Sequence, residues 1–426
     1  MSAVILFGLF IFLFLFRIPI AFSLGVSSVV AFLYEGFNLV GIPERMFSAL
    51  TLIPLIAIPG FVFAGVVMAR GGISKYLMEG LNAWIGHISG GMGIVTIMAC
   101  AIFAAVSGSS PATAAAIGSV AIPGLVESGY SKRYAMGLVA AGGTLGILIP
   151  PSISLILYGV ETQTSISKLF VAGVLPGIFL AGVLIVVAIY YAQRYGFGQA
   201  KDSHRYTWAE RWQASRRALW GTLLPVLIIF CIYDGVATPT ETSVIGGFYA
   251  VIVAAFIHKE LKWKDIRPIL TETVQITSMI YMIIASAVIF GTFLSFNQIP
   301  QGIAGWVISS HLDKVGFFIV TGVMFFILGT FLDAASIVII TIPIFLPTLH
   351  ALQVNLYHFA IFVVVSLELG MITPPVGLNL FVVSGICNEP LEEVIRAVIP
   401  FIVVMLAVLV IIAVWPGLSL FLLHYM

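Results

Sequence analysis

Long apolar runs without alternation dominate the chain. They lie at roughly 3–16, 18–34, 50–69, 132–164, 168–193, 218–233, 240–257, 268–294, 355–388 and 394–415. Runs near or above about 18 apolar residues are typical of membrane-spanning helices, whereas the strands of a membrane barrel would alternate apolar and polar residues. The pattern therefore predicts an all-α polytopic membrane protein with about ten transmembrane helices.

Two further apolar stretches, 92–127 and 316–349, are interrupted in the middle by residues that favour turns. The first contains SGSSP (107–111) and the second GTFLDAAS (329–336). Each arm has about 15 helical residues, or about 22 Å of rise, which is short of a bilayer core of about 30 Å. We predict two re-entrant helical hairpins with their tips near the midplane. The alternative for SGSSP is a kinked helix packed through small residues.

Charged residues are too few to cover a soluble surface. Lys and Arg number 19 and Asp and Glu number 18, and together they are 9% of the 426 residues. A soluble domain has about 25%, so soluble enzymes, nucleic-acid-binding proteins and disordered proteins are excluded. The three cysteines form no CxxC or Cys/His ligand spacing, which leaves no sign of a structural metal or disulfide.

The basic residues predict the orientation in the membrane. If ten segments cross once and the hairpins return to their own side, sixteen Lys and Arg residues lie on one face and only Arg45, Lys168 and Lys314 on the other. The positive-inside rule then puts both termini outside and the 194–217 linker in the cytoplasm. Trp208 and Trp212 in that linker are spaced as in an amphipathic helix lying in the interface. The alternative is a disordered basic loop.

Prolines reveal an internal repeat. Four prolines of the first half recur in the second half at a constant step of 224 residues: Pro123, Pro150, Pro151 and Pro176 recur as Pro347, Pro374, Pro375 and Pro400. The repeats are 1–193, with broken helix 132–164, and 218–426, with broken helix 355–388. Each contains five crossings, and an odd number inverts the second repeat. Inverted repeats with midplane ion and substrate sites are typical of secondary transporters.

The doubled prolines lie in GILIPPS (146–152) and GMITPPV (370–376). A proline inside a helix removes the hydrogen bond to the carbonyl four residues earlier. The carbonyls freed in this way are those of Gly146, Ile147, Gly370 and Met371. Free carbonyls at the end of a half-helix suit a hard cation such as Na⁺, and the N–H groups of the next half-helix favour an anion. The alternative is a pair of proline kinks satisfied by neighbouring helices.

The tips and the breaks together predict two Na⁺ sites, with Na⁺ as the coupling ion and no organic cofactor. The candidate Na⁺ ligands are Ser107, Ser110, Gly146, Ile147 and Ile149 in the first site, and Thr330, Asp333, Gly370, Met371 and Thr373 in the second. The candidate substrate-binding residues are Ser109, Ser110, Thr113, Ser152, Asp333, Ser336 and Asn379. For Asp333 the alternative is a helix N-cap, and for the deep Glu368 a structural role stands beside a proton or ion role.

Several motifs resemble the large membrane subunit of TRAP (tripartite ATP-independent periplasmic) transporters. They are VSGSSPATAAAIGSVAIPGL, GILIPPS, DGVATPTET (234–242), GTFLDAASIVIITIPIFLP and GMITPPVGLNLF, and the resemblance covers essentially the whole chain. It implies a sodium-driven importer of organic anions in a bacterial inner membrane. In this family a transport domain with both hairpins and both broken helices slides as an elevator against a scaffold.

The resemblance also implies partners. A small four-helix membrane subunit completes the scaffold, and because this chain starts with the large subunit's first span, that subunit is expected as a separate polypeptide. A periplasmic substrate-binding protein is expected to deliver the substrate. Family substrates are mainly C4-dicarboxylates, sialic acids and other carboxylates, and the chain looks closest to the sialic-acid members.

Rival functions lack their signatures. An intramembrane enzyme would need a nucleophile with a base, or metal ligands, at one depth, and an ATP-driven pump would need a GxxxxGK[ST] loop; neither pattern is present. A channel would show symmetry among several short subunits rather than inverted symmetry within one chain. A proton-coupled carboxylate carrier without a binding protein, using Glu368 and Asp333, is the main alternative.

Overall fold

The computed structural model describes residues 2–197 and 206–425, and in these ranges the regular structure is helical throughout. The helices are α1 (Ser2–Leu15), α2 (Ile20–Tyr34), α3 (Ile42–Leu50), α4 (Ala57–Arg70), α5 (Ile73–Ile85), α6 (Gly91–Ser107), α7 (Ser110–Glu127), α8 (Lys132–Leu148), α9 (Ile153–Thr162), α10 (Ile166–Tyr195), α11 (Trp208–Tyr233), α12 (Pro239–Ile252), α13 (Trp263–Phe296), α14 (Ile299–Ser309), α15 (Lys314–Phe331), α16 (Ala334–Ala351), α17 (Leu356–Met371), α18 (Leu378–Cys387), α19 (Leu391–Val414) and α20 (Gly417–Leu420). Short 3₁₀ turns precede α3 and α4 and follow α20, and a π-helical turn continues α12 to Ile257.

The helices have the length and composition of a membrane protein. Within the described ranges, nine helical segments are long and apolar enough to cross a membrane, and shorter apolar helices accompany them. Many of their large apolar side chains face outward, as on α12 and α15. Since a soluble protein would bury such stripes, the predicted all-α polytopic class is confirmed.

Both interrupted stretches break where turn residues predicted it. Gly108 and Ser109 separate α6 from α7, and Leu332 and Asp333 separate α15 from α16. The arms have 17 or 18 residues, which is longer than the expected 15 or so. They are longer because the helices continue into the residues assigned to the tips: α6 ends at Ser107, α7 starts at Ser110, α15 ends at Phe331 and α16 starts at Ala334.

Both Pro-Pro motifs also interrupt helices. α8 stops at Leu148 and α9 starts at Ile153, whereas α17 stops at Met371 and α18 starts at Leu378. The Pro150–Pro151 and Pro374–Pro375 peptide bonds are both cis. Adding the 224-residue step to the bounds of α7 gives 334–351, which are the bounds of α16.

The structure corrects the extent of the helix predicted in the 194–217 linker. α10 continues to Tyr195, and Trp208 begins α11, which runs without interruption to Tyr233. Thr207 and Glu210 form a capping box that starts α11 at this point. Trp208 and Trp212 are therefore exposed side chains in the first turns of a long helix. The part of the linker at 198–205 lies outside the described residues.

Helix packing brings the two halves of the chain together at the breaks. α7 of the first half packs against α18 of the second, and α16 of the second half packs against α9 of the first. A separate group is formed by α2, α4, α12 and α13, where α4 contacts both α12 and α13 and α2 contacts α13. α4 also touches α6, so this group meets the first hairpin directly.

Candidate functional site

The first hairpin turns within two residues. Gly108 has φ +59 at the end of α6, and the extended Ser109 is the N-cap of α7. A Cβ on Gly108 would lie 2.8 Å from the carbonyl oxygen of Pro151. Both the left-handed backbone and this close approach require glycine. The first tip therefore lies directly on the break between α8 and α9.

Hydroxyl groups line the inner side of this tip. Ser107 Oγ lies 2.8 Å from Thr113 Oγ1, which donates to the Ser109 carbonyl at 2.9 Å. Ser107 and Thr113 are buried, and a Cβ on Gly146 would collide with the Ser109 carbonyl oxygen. The structure thus brings the predicted residues of the first tip together with Gly146.

One of the carbonyls expected to be free at the first break is occupied. Ser152 Oγ donates to the Ile147 carbonyl at 2.5 Å and accepts from the Leu155 N–H at 3.4 Å as the cap of α9. The expectation that the Ile147 carbonyl lacks a donor is therefore wrong, because the side chain after the prolines replaces the lost backbone donor, whereas its role as a Na⁺ ligand stays a prediction. Pro150 has no N–H for the carbonyl of Gly146, and Ile149 is half-buried in the break.

The second tip is centred on Asp333. Its carboxylate accepts hydrogen bonds from the Ser336 N–H at 3.0 Å and from Ser336 Oγ at 2.5 Å, so it caps α16. The Thr330 carbonyl accepts from the Gly377 N–H at 2.9 Å, which joins this tip to the break between α17 and α18. Asp333 therefore acts as a helix N-cap. It is also half-buried and lies at a tip that contacts a broken helix.

At the second break another expected free carbonyl has a donor. The Thr373 N–H donates to the Gly370 carbonyl at 2.9 Å, and Thr373 Oγ1 donates to the Leu369 carbonyl at 2.7 Å. The expectation that the Gly370 carbonyl lacks a donor is wrong, since the last turn tightens and supplies a nearer one, whereas its role as a Na⁺ ligand stays a prediction. The carbonyl of Met371 receives no hydrogen bond from Pro375, as expected, because proline has no N–H.

The two breaks differ in exposure. Pro150 and Pro151 are buried, whereas Pro374 and Pro375 are exposed at the surface of the chain. Thr373 is half-buried, whereas Ser152 is fully buried. Two breaks of similar local sequence therefore differ in burial, and the second lies at the surface of the chain.

Asn379, which we expected to reach the substrate cavity, is buried and links the two halves of the chain. Its Nδ2 donates to Ser110 Oγ at 2.8 Å and to the Ala140 carbonyl at 3.0 Å, and all of these groups are buried. The 224-residue step pairs Asn379 with Leu155 and Ser110 with an alanine, so the other half has no such polar contact. Asn379 and Ser110 are therefore placed as structural partners.

We expect Asn379→Leu to destabilise the chain. Leucine leaves the buried Ser110 hydroxyl without its Asn379 partner, which costs about 1–3 kcal/mol for an unsatisfied group, and removes the additional donor of the Ala140 carbonyl. The melting temperature of the purified protein in detergent measures this loss. Asn297→Ala is the matched control, because Asn297 also donates two hydrogen bonds but is only half-buried. Equal melting temperatures for Asn379→Leu and the unmodified protein would contradict the linking role.

Glu368 is the most isolated carboxylate near the breaks. It is fully buried in α17, and in the described part of the chain neither carboxylate oxygen has a hydrogen-bond partner. The 224-residue step places Thr144 at the corresponding position of α8. The first half thus has a neutral side chain where the second half has an acid.

The chemistry available at both tips is that of oxygen ligands. Hydroxyl and carbonyl oxygens converge there, and they suit a hard monovalent cation better than a transition metal. Among the described residues, no three His, Cys, Asp or Glu side chains form a group that could hold a metal ion. The contacts that sequence reasoning missed, Ser152 with Ile147 and Gly377 with Thr330, come from residues just after the prolines.

Comparison with known proteins identifies related chains. The sequence model described as "Tripartite ATP-independent periplasmic transporter, DctM component" matches residues 7–418. The C4-dicarboxylate TRAP transporter large permease protein DctM of Pseudomonas aeruginosa is 40% identical over 93% of this chain and 93% of that protein. The isethionate TRAP transporter permease protein DctMQ of Oleidesulfovibrio alaskensis is 36% identical over 98% of this chain and 66% of that protein.

Two further matches are a relative named for a different substrate and a solved structure of similar fold. The sialic acid TRAP transporter large permease protein SiaM of Vibrio cholerae is 30% identical over 95% of this chain and 94% of that protein. The crystal structure of the YdaH transporter of Alcanivorax borkumensis superimposes with a TM-score of 0.63 at 16% identity, covering 89% of this chain and 88% of that one. At that identity the likeness concerns the fold alone.

Proposed function

Since the chain belongs to the DctM component family of tripartite ATP-independent periplasmic transporters, we propose that it is the large permease of a Na⁺-driven importer. The chain is the large permease subunit of a bacterial transporter that imports organic acids, and it crosses the membrane several times. We place it in the inner membrane with both termini in the periplasm. A sialic acid such as N-acetylneuraminate is the favoured substrate and a C4-dicarboxylate the next.

The observation that carries the proposal is the contact of each hairpin tip with a broken helix. Gly108 lies against Pro151 at the first tip, and Thr330 bonds to Gly377 at the second. Irregular backbone at membrane depth is stable only when protein surrounds it or when it lines a watery cavity. Paired interruptions of this kind form the ion and substrate sites of many secondary transporters.

We assign the Na⁺ ions to the oxygen atoms at these contacts. In the first site the Ser107 hydroxyl and the carbonyls near Gly146 and Ile149 remain suitable, whereas the Ile147 carbonyl is already bound by Ser152. In the second site Asp333 supplies the negative charge and the Met371 carbonyl a further oxygen. A carboxylate near the midplane is costly without a cation nearby, which favours this assignment.

We assign the organic anion to the space between the two tips. Ser109 at the first tip is half-buried, and its hydroxyl makes no hydrogen bond among the described residues. New helices begin beyond both breaks, at Ile153 and Leu378, and the N–H groups of their first turns favour negative charge. Anion and Na⁺ would thus bind to neighbouring parts of the same interruptions.

The packing supports an elevator mechanism. We propose that the hairpins and broken helices move as one unit against the group of α2, α4, α12 and α13, to which a small membrane subunit adds. The DctMQ relative extends beyond the region that matches this chain, and we propose that its extra part corresponds to that subunit. A periplasmic binding protein would deliver the substrate to this complex.

Uptake into proteoliposomes tests the coupling ion. We expect accumulation of N-acetylneuraminate or a C4-dicarboxylate when Na⁺ is high on the delivery side and the binding protein is present. Replacing the Na⁺ gradient by a K⁺ gradient should reduce uptake by about ten-fold or more, since the ion gradient supplies the driving force. Uptake is measured with radiolabelled substrate at fixed pH and membrane potential.

A pH gradient provides the opposing condition. Uptake that follows the pH gradient, ignores Na⁺ and needs no binding protein would replace the proposal by a proton-coupled carboxylate carrier. The observation that favours this second candidate is Glu368, which is buried and, among residues 2–197 and 206–425, has no hydrogen-bond partner for either carboxylate oxygen.

A further inference from the structure

A cavity of about 550 Å³ lies among helices from both halves of the chain, and its lining residues belong to neither hairpin tip. One wall is formed by α3 and α13 and the other by α9 and α16. This volume falls within the range of about 300–1,000 Å³ that small-molecule sites occupy, and such sites form preferentially between domains. In the proposed orientation the cavity lies toward the periplasmic side.

Two opposite charges face this cavity from opposite walls. Arg45 extends from α3, and Glu161 extends from the last turn of α9. The Arg45 guanidinium lies 5.7 Å from the centre of the Phe296 ring, and neither residue forms an ion pair within the described residues. The nearby Glu35, by contrast, accepts a hydrogen bond from Asn297.

Between these two side chains the α13 wall is mixed in character. Thr292 and Ser295 line the cavity beside Val288 and Phe296, and their hydroxyls donate to the Val288 and Gly291 carbonyls of the same helix, which leaves the hydroxyl oxygens as acceptors. Gly291 also lines it, and a Cβ added there would meet no atom within 4 Å. The space beside α13 is therefore open, and its three chemical features are a guanidinium, hydroxyls and a carboxylate.

We propose that this cavity is an access site for a monocarboxylate that carries a hydroxyl or ammonium group at its other end. The planar guanidinium of Arg45 matches a carboxylate through two parallel hydrogen bonds. Glu161 accepts a hydrogen bond from the donor at the far end of the ligand. A second carboxylate at that end would meet the like charge of Glu161, so the site selects against dicarboxylates.

This inference rests on the proposed import of organic acids and names the substrate class within it. Among the candidate substrates it favours a hydroxylated monocarboxylate such as a sialic acid over a C4-dicarboxylate. Because the binding protein also selects substrates, the test must measure binding to the membrane subunits alone. Loss of Na⁺-dependent uptake would count against the proposed function, whereas the binding measurement below addresses only the cavity.

The experiment compares two ligands of equal chain length, 4-hydroxybutyrate and succinate. Each is titrated at about pH 9, where carboxyl groups are ionised, against the purified large subunit in complex with its small subunit. The rise in melting temperature gives an apparent Kd. We expect 4-hydroxybutyrate to bind about ten-fold more tightly than succinate, because like charges placed side by side are unfavourable. Equal affinities, or tighter binding of succinate, would overturn the proposal.

Variants then assign the preference to the two charges. Glu161→Gln should bring the two apparent Kd values to within about two- to three-fold, since the repulsion is removed and an acceptor oxygen remains. Arg45→Gln should weaken the binding of both ligands by about ten-fold or more. Arg45→Lys should recover only part of this loss, because an ammonium cannot form the bidentate pair of hydrogen bonds with a carboxylate. An unchanged ligand ratio in Glu161→Gln would refute the role of that residue.

A filling variant locates the binding. Gly291→Leu should abolish stabilisation by 4-hydroxybutyrate, because the leucine side chain occupies the open space beside α13. Gly182→Leu in α10 is the matched control, since a Cβ at Gly182 also meets nothing within 4 Å but lines no part of this cavity. Equal size-exclusion profiles confirm that both variants assemble. Normal ligand binding by Gly291→Leu would place the ligand elsewhere and reject the cavity as its site.

Discussion

Oxidation of the double variant Gly65→Cys, Ser107→Cys is expected to stop uptake almost completely, and reduction is expected to return it to the lower rate of a protein without the Ser107 hydroxyl. A Cβ on Gly65 would lie 3.5 Å from the Cβ of Ser107, within the range of disulfides. Gly65 belongs to α4, which packs on α12 and α13, whereas Ser107 ends the first arm of the hairpin. A bond between them fixes the tip to the helices against which it is proposed to move.

The size of this effect follows from the mechanism. If transport requires the tip to travel, a covalent link blocks every cycle, and uptake should fall by about twenty-fold or more. Comparing the oxidised and reduced forms of the same protein separates the link from the effect of the Ser107 substitution. Cys100, Cys231 and Cys387 are replaced beforehand so that no other thiol reacts.

A second disulfide within the proposed static group is the control. A Cβ on Gly25 in α2 would lie 3.7 Å from the Cβ of Ser286 in α13. Gly25→Cys, Ser286→Cys should therefore form a disulfide and leave uptake unchanged in both redox states. Full uptake by the oxidised Gly65–Ser107 protein, with the disulfide complete by mass spectrometry, would reject the elevator mechanism.

The positions of the interruptions could be predicted because their causes are local. Pro150 and Pro374 remove backbone donors whatever surrounds them, and Gly108 allows a left-handed turn that other residues resist. The repeat of 224 residues reinforces each assignment, since a chance interruption would not recur at the same step. The helical class and the location of both breaks follow from such short-range rules.

The satisfaction of individual carbonyls could not be predicted in the same way. Proline chemistry predicts which donor is lost, but the replacement donor depends on the detailed path of the turn. Ser152 reaches back to Ile147, and Thr373 reaches Gly370. Serine and threonine near an interruption were a usable signal, because their hydroxyls often bond to nearby backbone groups.

Contacts between distant parts of the chain were also beyond the sequence. Asn379 and Ser110 are 269 positions apart, and one sequence contains no record of that proximity. Arg45 and Glu161 likewise meet at one cavity only because α3 and α9 come together through α13 and α16. The helix expected at Trp208 is not separate from the following span, because no helix-breaking residue divides it from the rest of α11.

Asp333→Asn is the second substitution with a large expected effect, a reduction in uptake of about ten-fold or more, because it removes the negative charge at the second tip. Asparagine caps a helix about as well as aspartate, so the start of α16 should persist. The Asn side-chain oxygen can still accept from the Ser336 N–H, as Asp333 does. The melting temperature and the assembly with the small subunit are therefore expected to stay normal.

Asp313→Asn separates charge at the tip from capping in general. Asp313 caps α15 by accepting a hydrogen bond from the Gly316 N–H at 2.8 Å, but it is exposed at the helix start, a whole arm away from the tip. Both variants exchange a capping carboxylate for an amide, so a loss of uptake confined to Asp333→Asn identifies the charge at the tip as the cause. The Na⁺ concentration for half-maximal uptake should rise in the same variant if Asp333 holds the ion. Normal uptake with unchanged Na⁺ dependence would assign Asp333 to helix capping alone and leave the second cation site without its negative charge.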